Sequence, residues 1–519
     1  MSKKIPLDIV DDAGNSYYVS ERKIYAREIS GRFQTLRKIA VWVLLGMFYA
    51  FPWLEWGGRQ SVLFDLPARK FYVFGLTFWP QDFIFLAMLL IMAGLTLFFV
   101  TALAGRLWCG YACPQTVWTE IFMWIENAIE GDRGRRMKLD KMPWNREKIL
   151  RKGGKHLAWA LFALWTGFTF VGFFTPIRDL FARAPFVSAG WQWGAWETFW
   201  VFFYALATWG FAGFLREQVC KYMCPYARFQ SAMFDRNTLI IAYDPMRGEP
   251  RGPRKRGLGS VLERGRGLLD KVTAYDYVFR ASGNAVAADA AAQAHGITGM
   301  AEFNPVREPL PKFAPEELGD CIDCTICVQV CPTGIDIRNG LQYECIACGA
   351  CIDACDEVMD KVGYPRGLIR YSTQNAIDNR ATHVVRPRVI VYGLLLAGLF
   401  AAWAWGVTHR APLIVEAMRD RNALYRIAEG GEVENGYTLR VVNKDDTART
   451  LEVTVDAGNG IRLAQGPFEV KAAPEEVLTL PVILRGPADS KGAVPVRFTV
   501  AAADGSVSKQ VESKFFGPM

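Results

Sequence analysis

Cysteine spacing constrains this chain more than any other feature. Cys321, Cys324, Cys327 and Cys331, followed by Pro332, form a C-x2-C-x2-C-x3-C-P run, and the spacing recurs at Cys345, Cys348, Cys351 and Cys355. Two such runs match the arrangement that holds two [4Fe–4S] clusters, with the fourth cysteine of each run ligating the other run's cluster. Cys321, Cys324, Cys327 and Cys355 are thus expected at one cluster, and Cys345, Cys348, Cys351 and Cys331 at the other. The competing reading is a pair of zinc knuckles, but these usually separate two C-x2-C units by a longer spacer. Asp356 stands where the second run would carry its proline, which alters a turn and removes no ligand. The spacing predicts a small α+β domain of bacterial-ferredoxin type over 311–380, moving electrons one at a time.

The remaining chain is apolar enough for lipid, with 51% hydrophobic residues, 17 Trp and 34 Phe. A bilayer crossing takes about 20 apolar residues. Five segments qualify: Ile39–Trp56, Gln81–Ala104, His156–Thr175, Trp196–Leu215 and Val389–Val407. No cleavable leader is expected ahead of the first. The net charge of +8 would suit a nucleic-acid binder, but its Lys and Arg gather beside the apolar segments, and no nucleic acid is expected. Eight precede the first segment, three follow it, eleven lie between Arg106 and Lys155, and only Arg178 and Arg183 occupy the next loop. Basic loops stay cytoplasmic, so the N-terminus and all 12 cysteines are expected inside and the tail outside. Thiols and clusters suit a reducing compartment, which agrees.

Two apolar segments end in the same motif, Cys109-Gly-Tyr-Ala-Cys113-Pro114 and Cys220-Lys-Tyr-Met-Cys224-Pro225. This C-x-Y-x-C-P repeat implies a pseudo-symmetric pair of hairpins. Proline suits the first position of a helix and pushes the preceding cysteine out of helical geometry. The alternating faces of Val117–Ile129 predict an interfacial helix. Thiols four apart on a helix share a face, and two such pairs could gather a soft ion such as Cu(I). Buried structural thiols, a metal or cluster-facing redox site, and a reversible dithiol all remain open for Cys109, Cys113, Cys220 and Cys224.

The organisation read from these signals is a multi-domain membrane protein. A cytoplasmic segment (1–38) leads to four spans carrying the two motifs (39–235) and a linker rich in Arg, Gly, Pro and then Ala (236–310). The ferredoxin-like domain follows (311–380), then a fifth transmembrane helix (388–408). An immunoglobulin-like β-sandwich (411–519) closes the chain, with strands expected over Tyr437–Asn443, Leu451–Asp456, Glu475–Leu484 and Val494–Ala502. The basic run Arg247–Arg256 reads as solvated linker. His156, His295, His383 and His409 are scattered, and none sits inside a span, which argues against an intramembrane haem. No G-x-G-x-x-G stands between a strand and a helix, which argues against a nicotinamide or Rossmann-type flavin site.

These motifs together resemble the cytochrome c oxidase accessory proteins called CcoG, FixG or RdxA/RdxB, over nearly the whole chain. The likeness rests on the paired C-x-Y-x-C-P motifs, the stretch from Cys321 to Ile337 and the stretch from Leu341 to Glu357. It implies a multi-pass protein of the bacterial inner membrane with a periplasmic sandwich, serving biogenesis of the cbb-type oxidase. It further implies cupric reductase chemistry, Cu(II) to Cu(I), with two [4Fe–4S] clusters as cofactors and copper as substrate. Cys109, Cys113, Cys220 and Cys224 then become candidates for copper binding or electron exit. The implied partners are the lipid bilayer, oxidase assembly factors or copper chaperones and an unidentified electron donor, with a homodimer as a candidate assembly. Two other classes compete: a quinol-linked membrane ferredoxin subunit similar to NapH and NosR, and a non-enzymatic, redox-sensing assembly scaffold.

Overall fold

The computed structural model describes residues 23–253, 260 and 318–519, apart from 189, 421–422, 429, 446, 459, 466–468, 491 and 519. Its contacts divide the chain into two units, 1–400 and 401–519. The Ala-rich 285–294 stretch, His295 and most of the expected linker lie outside the described residues.

The first unit is built on helices α1 (Arg32–Ala50), α2 (Phe83–Ala104), α3 (Leu107–Tyr111), α4 (Pro114–Glu130), α5 (Arg133–Lys141), α6 (Arg146–Val171), α7 (Ile177–Ala182) and α8 (Ala195–Thr208). Of the 22 residues of α2 none is charged and only Thr101 and Ala102 are buried, the pattern of a helix solvated by lipid. It stops at Gly105, whose φ of 55° is left-handed and where a β-carbon would stand 2.8 Å from the Leu239 carbonyl. Between α1 and α2 the chain forms a three-stranded antiparallel sheet, β1 (Val62–Asp65), β2 (Lys70–Val73) and β3 (Leu76–Phe78), where sequence reading expected a plain loop.

Among the described residues four helical segments are long and apolar enough to cross a membrane: Arg32–Trp53, Pro80–Ala104, Ala195–Met223 and Pro387–Thr408. The remaining expected segment, His156–Thr175, third in chain order, lies mostly in α6. The first turns of α6 carry Arg146, Lys148, Arg151, Lys152 and Lys155, so its apolar part begins only at His156. The first span starts earlier than expected because Gln34 and Arg37, both buried, find partners on Glu120 of α4.

That contact corrects the reading of α4 as an interfacial helix. Its Glu120, Glu126 and Glu130 are at most 3% exposed and face basic partners instead of lipid headgroups. Glu120 meets Arg37 at 2.7 Å, Glu126 meets Arg216 at 2.7 Å and Arg136 at 3.3 Å, and Glu130 meets Lys155 at 2.9 Å. Burial pushes the Glu126 carboxyl up, but Arg216, Arg136 and Lys155 outweigh it and hold it below the usual range. Phe122, one turn before Glu126 on the same face, packs on Trp159 and Ala163 of α6, so that face of α4 is held within the bundle.

After α8 the chain winds into π-helical turns at Trp209–Leu215 and Val219–Met223, then enters α9 (Pro225–Met233). Strand β4 (Ile240–Tyr243) pairs antiparallel with β5 (Ile369–Ser372), Ile241 opposite Tyr371. The expected linker therefore begins inside the cluster domain, because a partner strand more than a hundred residues away gives this short apolar run its hydrogen bonds. Arg247, read as solvated, is buried on Asp320 at 2.7 Å. The cluster domain adds α10 (Ile326–Gln329) and α11 (Ala350–Val362), and α12 (Pro387–Thr408) follows.

The second unit contains two antiparallel sheets. One runs β10 (Arg462–Gln465), β12 (Val477–Gly486), β8 (Val433–Asn443), β6 (Leu413–Arg419), with β7 (Arg426–Ile427) also on β8. The other runs β11 (Glu469–Ala472), β9 (Arg449–Ala457), β13 (Ala493–Ala502), β14 (Ser508–Phe516). Alternate residues such as Leu439, Val441, Val453, Leu484, Phe498 and Val500 fill one core. The four expected strands are present, each extended by a few residues or shifted at an end, and β6 and β14 join them.

Candidate iron–sulfur and thiol site

Two cavities in the cluster domain collect the eight ferredoxin-type cysteines. The first is lined by Cys321, Cys324, Cys327 and Cys355 with Tyr243, Arg338 and apolar side chains. The second is lined by Cys327, Cys331, Cys345, Cys348 and Cys351. The first cavity takes three cysteines of the first run and the last of the second, and the second takes three of the second run with Cys327 and Cys331 of the first. The turns close tightly because Asp323, Thr325 and Ala347 take left-handed φ values of 52–57°. The backbone N–H groups of Asp323, Ala347 and Ala350 donate to the sulfurs of Cys321, Cys345 and Cys348.

These residues fit the group their spacing calls for. Burial pushes Cys327 and Cys345 up to about 12, and raises Cys321, Cys348, Cys351 and Cys355 as well. What suits ligation is the gathering of the cysteines around two voids, since burial alone keeps them protonated and a coordinating thiol loses its proton to the metal. Among the described residues, no three His, Cys, Asp or Glu side chains close to the spacing of a single metal ion. A cubane spreads its thiolates wider than one ion does. Cys324 is exposed, and the other seven are buried or half-buried.

The second cavity is pressed onto the membrane helices. A β-carbon on Gly110 would lie 2.8 Å from the Ile346 carbonyl and 2.9 Å from that of Ala347, so only glycine lets α3 approach this turn. Tyr111 donates to the Cys348 carbonyl at 3.4 Å, Tyr371 to that of Ala347 at 2.6 Å, and Arg106 to that of Cys345 at 3.3 Å. From the opposite side, the Asp353 carboxylate accepts from the Phe33 and Gln34 amides at 3.2 and 2.8 Å, capping α1 from within the cluster domain. The residues Arg106, Gly110, Tyr111, Gln230 and Asp353 were not singled out from sequence. Gly110 and Tyr111 could have been, as members of the repeated motif.

The four motif cysteines lie in one region, although no three of them stand at the spacing of a single metal ion. Cys109 is in electrostatic range of Cys113 and Cys224, and Cys220 is in range of all three others. Cys109 and Cys220 both pack against the cluster-domain group that contains Ile346 and Cys348. Burial and the neighbouring Cys113 push the Cys109 thiol up to about 11, although it donates to Gln230 at 3.3 Å. The prolines do push Cys113 and Cys224 out of helical geometry, and the two halves of the repeat differ at their first cysteine. Cys109 is α-helical, Cys220 lies in a π-helical turn, and Cys113 and Cys224 have extended backbone before their prolines. The repeat is also unequal in its tyrosines, since Tyr111 is engaged by the cluster domain and Tyr222 is exposed.

A membrane protein with ferredoxin-type sites built against a group of helix-end thiols is an iron–sulfur electron-transfer protein. Comparison with known proteins agrees. A family model described as "4Fe-4S dicluster domain" matches residues 215–266 and 284–374, and one described as "4Fe-4S binding domain" matches 84–135. A third, "IG-like fold at C-terminal of FixG", matches 403–518. The chain is 35% identical to "Nitrogen fixation protein FixG" of Rhizobium meliloti, over 89% of this chain and 87% of that one. It is 37% identical to "Protein RdxA" of Cereibacter sphaeroides, over 86% of this chain and 84% of that one. Among solved structures it is similar to a FixG-related protein from Vibrio parahaemolyticus, 30% identical, over 21% of this chain and 98% of that one, with a TM-score of 0.19. The chain belongs to the FixG/RdxA family.

Proposed function

We propose that this chain is an iron–sulfur cupric reductase of a bacterial inner membrane, supplying Cu(I) to biogenesis of a cbb-type cytochrome oxidase. The observation that carries the proposal is the contact of the Cys345–Cys348 turn with Gly110 and Tyr111, which sets a ferredoxin-type site against four thiols. Cys321, Cys324, Cys327 and Cys355 would hold one [4Fe–4S] cluster, and Cys331, Cys345, Cys348 and Cys351 the other. Bound clusters supply one-electron storage at a potential set by hydrogen bonds to sulfur and by solvent access.

The protein's own residues provide the rest. The exposed Cys324 side offers a soluble donor its approach, and apolar walls keep water from the second cavity. Cys109, Cys113, Cys220 and Cys224 would offer copper soft donors in pairs, since no three of them stand at single-ion spacing, and Cu(II), on taking the one electron that the donor supplies, would become Cu(I), the state thiolates prefer. Counting α6 with the four apolar segments gives five spans, with the cysteines cytoplasmic and the sandwich periplasmic. The sandwich is then the natural dock for an assembly factor or copper chaperone. The test is Cu(I) formation from Cu(II), trapped by a Cu(I)-specific chelator with an artificial donor. Wild type should turn over, and C220S, with its full iron content, should not; equal rates would sink the copper assignment.

One observation favours the quinol-linked reading as a second choice. The His156 ring stacks on Phe214 (5.6 Å, 12°) and meets Trp159 and Trp209 edge-on, and His156 Nδ1 and Trp209 Nε1 are buried without a hydrogen-bond partner among the described residues. An aromatic nest with two unpaired ring nitrogens suits a quinol head group. That reading requires a short-chain quinol to reduce the wild-type protein and not H156L.

A further inference from the structure

Arg106 lies between the two sulfur sites and is the residue with the least settled charge. It is 4% exposed and follows α2 at the point where the chain turns toward Cys109. One guanidinium nitrogen donates to the Cys345 carbonyl at 3.3 Å and another to the Ala227 carbonyl on α9 at 2.5 Å. Its Nε has no hydrogen-bond partner, and among the described residues no carboxylate comes within ion-pair distance of it. Around it stand the thiols of Cys109, Cys345 and Cys220 and the Glu344 carboxylate. The face of Phe234 covers one side at 5.8 Å.

A buried guanidinium without a carboxylate is costly unless anionic groups around it supply the counter-charge. The other buried arginines nearby are neutralised, Arg37 by Glu120 and Arg216 by Glu126. The pseudo-symmetric position does not repeat the arrangement, because Glu217 stands three residues before Cys220 where Arg106 stands three before Cys109.

We propose that Arg106 is a positioning residue for electron flow: its uncompensated charge raises the reduction potential of the cluster held by the Cys345 group above that of its neighbour, and so draws electrons toward the membrane thiols. The inference rests on the eight cysteines holding two clusters and is independent of copper being the acceptor. A positive charge stabilises the more negative, reduced form, so its removal must lower the potential. Arg338, at the first cavity, cannot play this part because Asp336 and Asp323 pair with it.

The test is an EPR-monitored redox titration of the full-length protein with its clusters, which resolves two one-electron components. In R106Q one component should fall by about 59 mV or more, a tenfold loss in its reduction equilibrium, while the other stays. R106K keeps the charge and loses the two-pronged grip on both carbonyls, and should restore the wild-type potential. The proposal is overturned if neither component moves, if both move equally, or if R106K shifts as far as R106Q. Loss of iron from both variants also counts against it, since that would make Arg106 a structural clamp. Failure of the copper reading leaves these potentials unaffected, so the two claims fail separately.

Discussion

Replacing Gly110 with alanine should separate the two sulfur sites without dismantling either. The added methyl would stand 2.8 Å from the Ile346 carbonyl, and 2.9 Å from the Ala347 carbonyl and the Cys348 Cα, all backbone atoms of one turn. Relief to ordinary contact needs a shift of at least about half an ångström. Overpacking of this kind costs about 1–3 kcal/mol. The shift also strains two hydrogen bonds, from Arg106 to Cys345 and from Tyr111 to Cys348, each worth about 0.5–1.5 kcal/mol. The docking of the cluster turn on α3 should thus weaken by about 2–6 kcal/mol. The cysteine ligands are untouched, so iron and labile sulfide should stay at wild-type levels while Cu(I) formation falls severalfold or more. G153A is the matched control, because no atom lies within 4 Å of that β-carbon. Wild-type Cu(I) formation in G110A, at full cluster content, would refute the claim that this contact carries the electron.

Further expectations follow from the buried charges and the cores. E126Q strands Arg216 and Arg136 in the bundle and should cost about 3–5 kcal/mol, read as a lowered Tm in detergent. D353A removes the acceptor for the Phe33 and Gln34 amides and should cost about 1–2 kcal/mol in the same assay, with faster proteolysis ahead of α1. F498A empties the centre of the sandwich, at about 3–5 kcal/mol, and should expose that unit to protease while iron content holds. When chelator strips the iron, Cys324 should be the first cysteine of the two runs to react with a maleimide, because it alone of the eight is exposed.

The cluster sites were legible because the ligands are covalent chemistry written at fixed spacing, and the crossed grouping of Cys331 and Cys355 follows from that spacing alone. The sandwich strands were legible because alternate residues of β8, β9, β12 and β13 enter one core. The interface between the halves was not. Gly110 matters only because a turn more than two hundred residues later comes to rest on it, and no local pattern encodes that approach. Periodicity misread α4 for a related reason: buried glutamates signal water or headgroups until separate elements supply Arg37, Arg216 and Lys155 to meet them. Strand β4 was absorbed into a linker because its partner β5 is remote, and the π-helical turn at Cys220 leaves no compositional mark.

The most direct measurement is anaerobic stopped-flow mixing of dithionite-reduced protein with Cu(II), following cluster absorbance. The expected result is rapid reoxidation in wild type, slowed in G110A and in C220S. The contradicting result is reoxidation no faster with Cu(II) than in copper-free buffer, which would leave the four membrane thiols without the role assigned to them here.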